Sequence, residues 1–92
     1  HPIERAASFR NSFKRLKGVI KSVKEKRSAW LLTFDGGVKA LIRKEHLEPF
    51  LDSGIHPQTL NGKSVTIRGW VHIRRGKPLI RLRDPKSIES LE

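Results

Sequence analysis

The sequence predicts an all-β domain with one short helix, in which five bent strands close into a small barrel in the order βββ-α-ββ. Three observations carry this expectation. Apolar and polar residues alternate along five short stretches, glycines (Gly18, Gly69) fall in the middle of two of them, and between the third and fourth the apolar period becomes helical. A length of 92 residues supplies one domain. With 36% hydrophobic and 32% charged residues, the chain suits a globular module rather than a disordered tail. At this size roughly 60% of the unfolded chain's surface is buried on folding, which leaves material for a single core.

The elements follow in order. Residues 1–12 are mixed and polar, with a helical turn near residues 3–7, and read as an inter-domain extension; the domain proper is expected over residues 13–92. Leu16, Gly18 and Ile20 share one face of the first strand. Val23 regains that face only if an extra residue intervenes, which predicts a bulge or sharp bend near Lys21-Ser22. Residues 24–28 form a charged turn. In the second strand Trp30, Leu32 and Phe34 share a face, and Asp35-Gly36-Gly37 makes the hairpin turn. Val38, Ala40 and Ile42 then alternate with Lys39, Leu41 and Arg43.

From residue 43 to 53 the spacing of Leu47, Phe50 and Leu51 is helical, Pro49 keeps the helix short, and Gly54 stands where a helix would end. Alternation resumes with Val65, Ile67, Gly69, Val71 and Ile73 facing inward and Arg68, Trp70 and His72 facing outward. A basic turn around Gly76 leads to the fifth strand, with Ile80 and Leu82 inward. Pro85 stops it, and Ile88 and Leu91 suggest a terminal helical turn over an open end of the core. Strands this short cannot hide their apolar faces in an open sheet, whereas closure removes the edges. A five-stranded barrel with a helix between strands three and four is the OB-fold arrangement. A flat antiparallel sheet carrying one helix is the rival, and the mid-strand glycines favour the bent version.

Charge speaks about partners. Twenty Lys and Arg against nine Asp and Glu give a formal charge of +11, which excludes an acidic buffer and points to a polyanion. The cations come in two blocks: residues 5–27 hold nine with one acid (Glu25), and residues 63–83 hold seven with none. Cysteine is absent, which excludes disulfides, thiolate metal sites and thiol nucleophiles, and the four histidines lack metal-ligand spacing. No cofactor is expected. No apolar run approaches the roughly 20 residues of a membrane span. The chain opens at His1 and reads as a segment of a longer polypeptide, expected to act as a monomer.

The stretch Leu60-Asn61-Gly62-Lys63-Ser64-Val65-Thr66-Ile67-Arg68-Gly69-Trp70-Val71, followed by Pro78, Ile80, Leu82, Asp84-Pro85 and Ile88-Glu89, resembles the OB-fold nucleic-acid-binding domain that accompanies thermonuclease-like domains in bacterial proteins. The similarity spans about residues 13–91 and is specific in the second half. Asp84 stands where that family commonly has histidine, and Lys77 precedes the proline; neither touches the apolar frame. The resemblance implies a nuclease-like domain on the N-terminal side of the parent chain. Residues 65–84 are also similar to the opening strands of the anticodon-binding OB domain of class II aminoacyl-tRNA synthetases. There the segment would start a barrel, and too few residues follow it here. Both resemblances imply the same fold.

The candidate contacts to a nucleic acid are Lys17, Lys21, Lys39 and Arg43 on the outward parity of the first three strands. Arg68, Trp70, His72, Arg81 and Arg83 join them from the last two strands, and Arg74, Arg75 and Lys77 from the turn between those strands. Trp70 is read either as stacking on a base, or as covering the barrel beneath the terminal turn against Leu79 or Leu91 or stacking on an arginine. Trp30 is equally ambiguous. No carboxylate pair has catalytic spacing, so the module is expected not to be an enzyme. The expected function is non-catalytic binding of single-stranded DNA or RNA with little sequence preference, as the targeting arm of a larger protein. A protein-interaction or structural domain packing on its partner enzyme is the alternative, and adhesion to an anionic membrane surface is a third.

Overall fold

A computed structural model describes residues 1–91; Glu92, the last residue of the expected domain, lies outside the described residues. Strand β1 (Phe13–Glu25) is long and changes partner midway. Residues 13–19 pair with β4 (Ser64–Arg74), and residues 20–25 pair with β2 (Ala29–Phe34), with the register shifting between Ile20 and Ser22. The bulge read from the break in alternation is therefore where the strand bends from one partner to the next. It returns Val23 to the edge of the core.

Strand β2 hairpins into β3 (Lys39–Arg43) through Asp35-Gly36-Gly37, where both glycines have positive φ and Phe34 N–H donates to the Val38 carbonyl. Strand β3 pairs in parallel with β5 (Lys77–Arg81), and β5 pairs antiparallel with β4. Because β4 also pairs with β1, the order β1-β2-β3-β5-β4 closes on itself. The protein is a closed five-stranded OB-fold barrel with one short helix.

That helix, α1 (Leu47–Asp52), follows a 3₁₀ turn. Pro49 falls in its first turn, where the missing N–H has no intrahelical partner to lose. The helix ends in a Schellman motif: Gly54, at φ 82°, donates to the Leu51 carbonyl and Ile55 N–H to that of Phe50. Phe50 is fully buried and closes one end of the barrel, with Leu47 packed beside it.

Two segments differ from expectation. Residues 1–12 are not a loose extension: a 3₁₀ stretch, Ile3–Phe9, inserts Ile3 and Ala6 into the core with no exposed surface. Gly18 makes this possible, since a Cβ there would run into the Ile3 side chain. The segment is also tied by backbone bonds, Asn11 N–H to the Val71 carbonyl and Lys17 N–H to that of His1. At the other end, Ile88 and Leu91 do not form a helical turn. Asp84 caps a 3₁₀ turn, Pro85–Ser87, through Lys86 N–H, and β6 (Ile88–Leu91) then pairs antiparallel with the first residues of β4. The part of β4 beyond β5 would otherwise present an open edge, and β6 supplies its hydrogen bonds.

Candidate functional site

Alternation places opposite kinds of side chain on the two faces of each strand. Val71, Ile80, Ala40 and Ile42 point into the barrel. Their neighbours His72, Arg81, Lys39, Leu41 and Arg43 point away from it, so β4, β5 and β3 present a continuous outer face. Gly69 lets β4 pass close over β5, because a Cβ there would stand 2.6 Å from Ile80 Cγ2.

Three adjoining recesses lie on this face. The largest, about 600 Å³, runs between the β1–β2 turn and the β4–β5 turn. Its floor is Leu31, Leu41, Pro78 and Leu79, and its rim is Lys26, Lys39, Arg74, Arg75 and Lys77. No carboxylate lines it, and among the described residues none of these five cations has a carboxylate within 4.0 Å. A second cleft of about 490 Å³ is lined by Phe13, Arg68, Gly69, Trp70, His72, Arg81, Arg83 and Ser87. The third shares Leu41 with the first cleft and Arg81 and Arg83 with the second, and adds Arg43, Glu45 and His46. Together they form one trough with basic walls.

The β4–β5 turn has unusual backbone geometry. Arg74 pairs with Lys77, leaving two central residues, Arg75 at φ 54° and Gly76 at φ 79°. Two consecutive left-handed residues are the mark of a type I′ turn, whose first position normally takes Asn, Asp or Gly. An arginine there costs backbone energy, and residues kept in sparsely populated conformations cluster at functional sites.

Ten of the twelve residues singled out from the sequence line the trough: Lys39, Arg43, Arg68, Trp70, His72, Arg74, Arg75, Lys77, Arg81 and Arg83. Lys17 and Lys21 line none of these recesses. Lys17 sits beside Thr66 where the N-terminal segment crosses β1, and Lys21 lies at the bulge with its Nζ 3.2 Å from Asp35 Oδ1. Two members of the trough are partly neutralised: Arg43 Nε is 3.1 Å from Glu45, and Arg68 Nε is 3.1 Å from Glu89, which also holds Arg15 at 2.7 Å.

Trp70 does not cover the barrel. It is 54% exposed and meets Phe13, its cross-strand partner, edge to face with 6.2 Å between ring centroids. Trp30 is half-buried against the core. Sequence reasoning missed Phe13 and Lys26. Phe13 shares the outward parity of Arg15 and Lys17 at the start of β1, and Lys26 belongs to the first basic block.

No family model matches the chain, and no curated protein matches it either. Solved structures do. The chain is similar to the Stn1–Ten1 complex of S. pombe, with a TM-score of 0.56 and 15% identity over 87% of this chain and 56% of that one. It is also similar to asparaginyl-tRNA synthetase from Pyrococcus horikoshii complexed with asparaginyl-adenylate, with a TM-score of 0.59 and 19% identity over 94% of this chain and 20% of that one. A second structure of that synthetase gives a TM-score of 0.56 at 18% identity, again over 94% of this chain and 20% of that one. The chain thus spans about half of the first neighbour and a fifth of the synthetase, and at these identities the likeness is one of fold.

Proposed function

We propose that this barrel is a non-catalytic nucleic-acid-binding module that holds a single strand of DNA or RNA with little sequence preference. The observation that carries the reading is the first cleft: five cations that have no acid partner among the described residues surround an apolar floor between two turns of an OB barrel. Backbone phosphates meet the rim, the floor accepts the flat faces of sugars and bases, and nothing in this arrangement demands one base over another. In OB-folds the corresponding strand face and loops are where oligonucleotides lie. One structural neighbour is a tRNA synthetase by name, in keeping with a nucleic acid as ligand of the fold.

The non-catalytic part of the reading rests on the sequence, where no pair of carboxylates has the spacing of a reaction centre. The resemblance over residues 60–89 supports a further element, that the module serves as the targeting arm of a parent protein carrying a nuclease-like domain. Titrating a fluorescently labelled oligonucleotide at rising salt tests the core of the proposal. With about five phosphates engaged, the logarithm of affinity falls with the logarithm of salt at a slope near −3.5, roughly −0.7 for each. Affinity that ignores salt would sink it in favour of a protein-interaction domain.

A further inference from the structure

We propose that Phe13 and Trp70 form a base-stacking subsite beside the first cleft, which makes an unpaired strand, and not a duplex, the ligand of the whole trough. The inference rests on the nucleic-acid reading and deepens it. Phe13 is 49% exposed and Trp70 54%, although both occupy outward positions on paired strands where a polar side chain would satisfy the fold. Their rings meet edge to face at 74° and Arg68 Cζ stands 5.7 Å from the Phe13 centroid. Phe13 is thus braced from two sides while Trp70 keeps more than half of its surface open, and an incoming planar group finds aromatic surface already held in place.

The surroundings select the partner. Arg68, His72, Arg81 and Arg83 line the same cleft, with no carboxylate among its lining residues. A protein partner needs no such setting, whereas a nucleotide brings a flat ring and a negative phosphate together. The subsite is also continuous with the first cleft. His72 lies opposite Leu79 on β5, and Leu79 belongs to the floor of the first cleft, so one strand spacing of about 4.8 Å separates the two. A strand gripped at the β4–β5 turn therefore continues onto the aromatic pair. The bases of a duplex are already stacked and paired and cannot take up this surface, which leaves the duplex only the electrostatic contacts.

The test uses the full chain with Trp30→Phe, which makes Trp70 the sole fluorophore. Its probes are oligothymidylate within the roughly 4–16 nucleotides that one such barrel covers, a blunt DNA duplex, and inorganic polyphosphate, a polyanion without bases. Oligothymidylate is expected to quench Trp70, while duplex and polyphosphate bind without quenching. Trp70→Leu is expected to weaken oligothymidylate binding by about 5- to 150-fold, leave polyphosphate binding unchanged, and be largely rescued by Trp70→Phe.

Oligothymidylate that binds without quenching and tolerates Trp70→Leu overturns the stacking subsite while the first cleft stands. Equal losses for both ligands in Trp70→Leu overturn it as well, since the change would then be one of fold or charge. Failure of every polyanion to bind at low salt overturns the nucleic-acid reading together with the subsite, and makes the aromatic pair a protein contact surface.

Discussion

Ile3 occupies the space that a side chain on Gly18 would need. The strand gives up its own Cβ at that point, and the N-terminal turn fills the gap with a residue that has no exposed surface. Removing the contact from either side should therefore cost stability. Ile3→Ala is expected to lower unfolding free energy in urea by about 2–5 kcal/mol, the usual range for emptying a buried aliphatic site. A loss below about 0.5 kcal/mol, typical of neutral surface changes, would show the segment to be merely apposed.

Arg75 pairs a cost in backbone energy with a place on the rim of the cleft. Asn tolerates the left-handed region, so Arg75→Asn removes the charge without straining the turn. Thermal stability should hold or rise slightly. Oligonucleotide affinity should fall, and the salt slope should become shallower by about 0.7, the contribution of one phosphate. An unchanged slope would remove this arginine from the contact set.

Lys39 and Lys21 offer a matched contrast. Both sit on strands, but Lys39 lines the first cleft while Lys21 faces Asp35 at the bulge. Lys39→Ala should weaken oligonucleotide binding at low salt, and Lys21→Ala should leave it within twofold, a factor worth about 0.4 kcal/mol. Equal effects in anisotropy titrations would mean that net charge, and not the trough, governs binding.

Glu89 bridges Arg15 and Arg68 from β6, at the border of the aromatic pair. Both arginines are well exposed, so the pairs contribute at most about 1 kcal/mol. Glu89→Gln should change the melting temperature little. It should raise oligonucleotide affinity at low salt, with the gain fading as salt screens the freed charges. A gain that persists at high salt would point to a rearranged cleft instead.

Features fixed by neighbouring residues were legible in the sequence. The bulge followed from one slip in alternation, the β2–β3 turn from Asp35-Gly36-Gly37, and the end of α1 from Gly54. The trough was legible to the extent that parity and turns placed ten of its cations and aromatics. What escaped depends on pairings between distant parts of the chain. The docking of Ile3 required knowing what stands over Gly18. The 88–91 segment carries a helical spacing, but the edge of β4 recruits it into a ladder. Phe13 became part of the trough only through its register with Trp70.

Strand β4 is bonded to β1, β5 and β6, and it carries Arg68, Trp70, His72 and Arg74. Its amides should be among the slowest in the molecule to exchange with deuterium, because opening them requires the barrel itself to come apart. The side chains mounted on it thus forfeit little backbone freedom when a ligand arrives, and what ordering remains falls on their own rotamers.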